Sequence, residues 1–198
     1  MDKYVITITR QFGSMGRSIA KELSGLLNIN FYDRDIVEEA SKEMNLPLSV
    51  VNAQEEKAKT GLFYRTLPLG NGTSTIQDII FNAQKEIILD IAEKESCIIV
   101  GRCSDYILRN FKNHISIHIY APYDARFDNC VNLLNMTPHE AKKMIHSVDK
   151  AREAYHMKYA KHLPSDIKRN NLLIDSSLLG VSDTAKLIAD VAKAKFKL

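Results

Sequence analysis

The chain has 198 residues, 45% of them hydrophobic, which suits one soluble globular domain with a sizeable core. A net charge of +3 is too small to argue for nucleic-acid binding. Three cysteines, Cys97, Cys103 and Cys130, form no C-x-x-C pair and suggest neither a disulfide framework nor a zinc site. Reduced thiols, no signal pattern and no apolar run near about 18 residues predict a cytoplasmic protein without a membrane span.

In chain order, residues 4–9 (YVITIT) are rich in β-branched side chains and predict a buried strand. Residues 18–27 carry Ile19, Ala20, Leu23, Leu26 and Leu27 at helical spacing. A short strand is expected at 29–32, with helices at 35–44 and 48–58. Residues 60–74, with three glycines and a proline, read as an irregular loop. A long helix is predicted over 75–95, an apolar strand over 97–101 and a short helix over 104–111. Residues 115–120 alternate with period two and predict a strand. Helices follow at 124–135 and 137–163. The second of these opens with a capping box of Thr137 and Glu140 and with Pro138 at its first position. A strand at 171–175 and a helix at 182–196, capped by Ser182, close the chain.

Five apolar strands separated by helices predict an α/β fold, a five-stranded parallel sheet flanked by helices. In such sheets ligands bind beyond the carboxyl ends of the strands. That rule selects Arg10–Arg17, Asp33, Arg102, Ala121–Arg126 and Asp175–Ser177. Arginine recurs at three of the five places.

The stretch GSMGRS, residues 13–18, lies between the first strand and its helix. The first turn of a helix presents unpaired N–H groups and a partial positive charge. Glycines let the backbone curl so that those groups converge on an anion. Gly13, Ser14, Met15, Gly16, Arg17 and Ser18 are therefore the expected phosphate-binding residues. Against the pattern G-x-x-x-x-G-K-[ST], Gln11 stands at the first glycine and Arg17 at the lysine. Arginine keeps the charge but is planar and favours bidentate contacts. Ser18 occupies the position that contacts Mg²⁺, directly or through water.

With residues 6–23 (ITITRQFGSMGRSIAKEL), 31–41 (FYDRDIVEEAS), 98–108 (IIVGRCSDYIL), 117–126 (IHIYAPYDAR) and 148–159 (VDKAREAYHMKY), the chain resembles the cytidylate kinase-like proteins of the P-loop nucleoside monophosphate kinase group. The resemblance is nearly full length. It implies one P-loop kinase-type domain over 1–198, with an acceptor-binding region near 33–74 and a mobile helical lid near 124–170. It implies phosphoryl transfer from ATP, with Mg²⁺, to a nucleoside monophosphate. Small-molecule nucleotides are then the expected partners, not nucleic acid or membrane. The chain departs from true cytidylate kinases at Arg17, at Arg34 after Asp33, and at Cys103, which replaces an aspartate. These departures motivate two alternatives: a kinase for another phosphorylated or polar metabolite, and a nucleotide-binding regulatory module without catalysis.

Phosphoryl transfer needs positioning and cations around the moving charge. Arg17 is the candidate for the β/γ-phosphates. Arg102 is the candidate for the acceptor phosphate, its alternative being a salt bridge to Asp105 or Asp33. Asp33, Arg34 and Asp105 are the other acceptor-side candidates, and Asp33 could equally cap the next helix. Arg152 falls on the stripe of Met144, Ile145, Val148, Tyr155 and Tyr159, where a cation needs a partner, either an acid such as Asp149 or a bound polyphosphate. With Lys150 and Arg126 it resembles the lid cations of nucleotide kinases. The six histidines show no metal-ligand pattern, and the tyrosines read as packing residues or as platforms for a base.

Overall fold

The computed structural model describes residues 2–33, 42 and 76–198. Arg34, the helices expected at 35–44 and 48–58, the loop expected at 60–74 and nearly all of the expected acceptor region lie outside the described residues.

Five strands, β1 (Val5–Arg10), β2 (Asn30–Tyr32), β3 (Cys97–Val100), β4 (His114–Tyr120) and β5 (Leu172–Asp175), form one sheet in the order β2-β3-β1-β4-β5. Every pairing is parallel, with Val5 opposite both Cys97 and His114. The sheet is covered on both faces, as parallel sheets require. On one face Ile6, Ile8, Ile98 and Ile117 pack with Ile19 and Leu23 of α1 (Gly16–Leu27) and Ile188 of α6 (Ser176–Phe196). On the other, Val5 and Ile99 pack with Ile88 and Ile91 of α2 (Ile76–Lys94) and with Leu108, just past the short α3 (Ser104–Ile107). The three cysteines are buried and free. Among the described residues no helix is long and apolar enough to cross a membrane.

The period-two reading of β4 explains its histidines. Ile115, Ile117 and Ile119 face one layer, while His114 and His118 face the other beside Thr7 and Thr9 of β1. His114 Nε2 lies 2.7 Å from Thr7 Oγ1, and His118 Nδ1 lies 2.9 Å from Thr9 Oγ1. Burial pushes both imidazoles down to about 4; the charges of Asp105 and, for His118, Asp149 oppose the shift without cancelling it. As the pH falls, the unfolded chain takes up these protons first, near the ordinary value of about 6.5. Stability present above that value is therefore lost on the way down to about pH 4, by up to about 3 kcal/mol for each histidine. His118→Gln, which cannot titrate, should flatten the decline of the urea midpoint across this window. An unchanged decline would show that His118 is not its source.

Three elements differ from the sequence expectation. The helix expected at 124–135 is split: α4 (Tyr123–Asp128) runs into a π-helical turn, Asn129–Leu133. The wider turn puts the Asn129 side chain on Gly13 O, at 2.9 Å, and buries Cys130 against the same loop. α3 ends at Ile107 rather than near 111. The last element starts at Ser176, with Asp175 accepting from Ser177 N, and is broken at Gly180 (φ 72°, ψ −173°), so the helix expected from 182 follows that break and a short helical turn precedes it. The capping box of α5 (Pro138–Tyr159) forms as expected, with Glu140 N donating to Thr137 Oγ1.

Candidate phosphate-binding site

The loop after β1 is tied to the protein through its carbonyls and through the Gln11 and Phe12 amides. Ser14 Oγ donates to Gln11 O (2.9 Å) and Ile119 O (3.1 Å). Ser176 Oγ donates to Ser14 O at 2.7 Å, and Asn129 Nδ2 occupies Gly13 O. Gln11 is tied to β4 at both its backbone N–H and its side chain, through Ile119 O and Ala121 N. Met15 then takes a left-handed conformation (φ 59°, ψ 18°) and leads into α1. A side chain in that region is strained, and such strain concentrates at binding sites. No side chain caps α1, and its first turn holds no acid. The N–H groups of Gly16, Arg17 and Ser18 have no intrahelical acceptor, so they form the base of an anion nest.

Two glycines are required here by close approach. A Cβ on Gly13 (φ 78°) would lie 2.7 Å from Arg126 O, and one on Gly16 would lie 2.7 Å from Arg10 Cβ. A third glycine, Gly101 (φ 79°), ends β3, and a Cβ there would collide with the Arg10 guanidinium. Arg10 is thus wedged between the loop and the β3 turn.

Two acids organise the cations around the loop. Asp33, buried at the end of β2, takes Arg10 Nη2 at 3.3 Å and Arg17 Nε at 3.1 Å. Asp149, on α5, takes Arg126 Nη1 at 2.5 Å and the backbone N–H of Phe12 at 2.7 Å. Arg126 Nη1 also donates to Phe12 O. Arg152 donates to Arg10 O at 3.0 Å and lies over the Phe12 ring at 6.0 Å. Burial, with Arg10 beside it, pushes the Arg152 guanidinium down to about 9, against the pull of Asp149 and Asp33. A guanidinium perturbed that far, chiefly by burial, marks a candidate functional site. An anion with several oxygens is the complement of such a site.

The candidate residues are distributed as follows. Arg17, Asp33, Arg126 and Arg152 meet around the Gly13–Ser18 loop. Arg17 is 53% exposed, so its side chain can turn from Asp33 toward a ligand without breaking the core. Ser18 is half-buried in the first turn, and its hydroxyl has no hydrogen-bond partner among the described residues, which suits it to hold a metal-bound oxygen. Arg102 sits in a tight turn after β3, with φ 60° there and 53° at Cys103, and its charge acts on Arg152. Lys150 is exposed on α5 and shares none of the loop's hydrogen bonds or ion pairs. Asp105 is buried away from the loop and bound to His156 Nε2 through both carboxylate oxygens, at 3.0 and 2.9 Å. Tyr155 and Tyr159 pack on Phe81, with Tyr159 stacked at 3.9 Å. Arg10 falls in the strand-end range that the sequence selects but has no separate role assigned there, Asn129 has none, and Asp149 figures only as a possible partner of Arg152. Arg10 lies one residue beyond the strand expected at 4–9 and is the last residue of β1. Asn129 reaches the loop only through the π turn, which left no periodic signal.

A parallel sheet with a glycine loop after its central β1 strand is the architecture of the P-loop kinases. A family model described as the cytidylate kinase-like family matches residues 5–178, and the chain belongs to that family. It is thus a kinase-like phosphotransferase. The sequence has no match among curated proteins. Among solved structures it is similar to an uncharacterized protein from Eubacterium ventriosum ATCC 27560 (24% identity, TM-score 0.73, covering 96% of this chain and 99% of that one). It is also similar in fold to shikimate kinase from Bacteroides thetaiotaomicron (11% identity, TM-score 0.56, covering 98% and 99%). A gluconokinase from Sinorhizobium meliloti 1021 is comparable (12% identity, TM-score 0.55, covering 98% and 95%).

Proposed function

We propose that the chain transfers the terminal phosphoryl group of ATP to a nucleoside monophosphate. The observation that carries this reading is the uncapped N-terminus of α1, framed by Gly13 and Gly16 with Arg10, Arg17, Arg126 and Arg152 around it. The amides of Gly13–Ser18 hold the polyphosphate by backbone donation and helix polarity. Arg17 leaves Asp33 and follows the charge that develops on the transferred group. Mg²⁺, held near Ser18, supplies neutralisation of the β- and γ-oxygens when bound. Arg102 grips the acceptor phosphate, with Asp33 beside it. Arg126, Arg152 and Lys150, on the helices of 124–170, surround the transfer and exclude water.

Coupled ADP release with Mg-ATP across a panel of nucleoside monophosphates tests this reading. Turnover should appear with at least one of them and fall sharply in Arg17→Ala and Arg102→Ala. Turnover that survives both changes would sink the residue assignments. A second reading keeps the kinase chemistry and changes the acceptor. It is favoured by Asp105, which is engaged by His156, and by Cys103 at the aspartate position. Turnover with a phosphorylated or polyhydroxy metabolite, and with no nucleoside monophosphate, would select it.

A further inference from the structure

Asp105, His156 and His162 come together beside the turn that follows β3. One ligand atom from each lies within 4.8 Å of the others. The tautomers follow from the acceptors. His156 Nδ1 lies 2.8 Å from His162 O, and His162 Nδ1 lies 3.0 Å from Leu163 O. A carbonyl oxygen can only accept, so both Nδ1 atoms carry their protons and donate them. Metal-binding histidines are held in this manner, one ring nitrogen fixed by a backbone oxygen and the other free to ligate. Here His156 Nε2 is turned onto Asp105, and with its Nδ1 engaged His162 has Nε2 as its ligating nitrogen in the same cluster. In the chain without metal, a proton on His156 Nε2 bridges to the carboxylate, and a cation replaces that proton.

We propose that Asp105, His156 and His162 form a binding site for a divalent transition metal, with Zn²⁺ the representative ion. Two imidazoles and one carboxylate are the donors that such ions select, and a hard ion such as Mg²⁺ disfavours this set. Three protein ligands leave one coordination position open. A cavity of about 160 Å³ adjoins Asp105 and His162, and Arg109 and Arg169 also line it. The open position therefore takes water or a small anion. The ligands come from α3, from the end of α5 and from the turn beyond it. A bound ion would pin α5, the helix that carries Asp149 and Arg152, to the turn that carries Arg102.

The test is Co²⁺ and Zn²⁺ binding to the full chain after chelator treatment. One Co²⁺ per chain should bind and give the visible bands of a four- or five-coordinate site. Zn²⁺ should displace it, and Zn²⁺ should raise the thermal midpoint. His162→Ala keeps the His156–Asp105 pair and the backbone carbonyl that holds His156. It should weaken binding about 100-fold or more while the metal-free midpoint changes little. If His162→Ala does not fold, His162→Gln serves instead. No stoichiometric binding to the wild-type chain overturns the proposal. Equal binding by the wild type and the His162 variant also overturns it.

Discussion

Asp149→Ala should lower the unfolding free energy by about 3–5 kcal/mol, the range for removing one member of a buried ion pair. The pair is largely but not fully buried, with Arg126 10% and Asp149 18% exposed, which places the loss at the lower end of that range. The substitution strands the Arg126 guanidinium, whose Nε already has no hydrogen-bond partner among the described residues. It also leaves the Phe12 N–H without its acceptor. Urea unfolding measures the loss. Asp149→Asn keeps an acceptor for Phe12 and gives up only the charge, so it should fall between the two. Pairing Asp149→Leu with Arg126→Met should recover part of the stability, because it strands no charge, while the Phe12 N–H and C=O still lose their partners. It should not recover nucleotide binding, since the cation is gone. A single Asp149→Ala chain as stable as wild type would show that the loop does not depend on this tie.

Arg17→Ala should leave stability nearly unchanged and cut kcat/KM by about 10²–10³-fold, the range for losing one preorganised charge at the reacting centre. The asymmetry comes from exposure. A half-exposed arginine in an ion pair adds at most about 1 kcal/mol to folding. In a closed site the same charge acts where water is excluded. Arg17→Lys should keep part of the rate, because the ammonium is the cation of the standard loop, while it loses the fork geometry. Steady-state kinetics in the coupled ADP assay, beside urea unfolding of the same variants, separates the two effects. An Arg17→Ala chain with wild-type kcat/KM would remove Arg17 from the transfer step.

Much of the fold was legible because it is written locally. Strands announced themselves as β-branched runs, β4 as a period-two alternation, α5 by its capping box, and the loop by two glycines between strand and helix. The rule that sites lie at strand ends then drew Arg17, Asp33, Arg102 and Arg126 toward one edge. What was not legible depends on contacts distant in sequence. Asp149 reaches Phe12 across 137 positions, and Asn129 reaches Gly13 across 116. His156 and Asp105 are 51 apart and share no element. Spacing along the chain carries no trace of such pairs, so six scattered histidines looked unrelated. The π turn was hidden for another reason, since its composition is that of an ordinary helix.

The order of the sheet also sets when the loop can exist. β1 is the second strand in from neither edge but the middle one, and both its neighbours, β3 and β4, lie some 90 to 110 positions downstream. The last hydrogen bond on the loop, from Ser176 to Ser14, spans 162 positions. On a ribosome adding about 5–20 residues per second, the first strand waits roughly 5–20 s for both partners to be made. The segment nearest the start of the chain is thus among the last to be completed. During synthesis Val5, Ile6 and Ile8 are exposed apolar surface, and a nascent chain stalled before β4 would be prone to association through that strand.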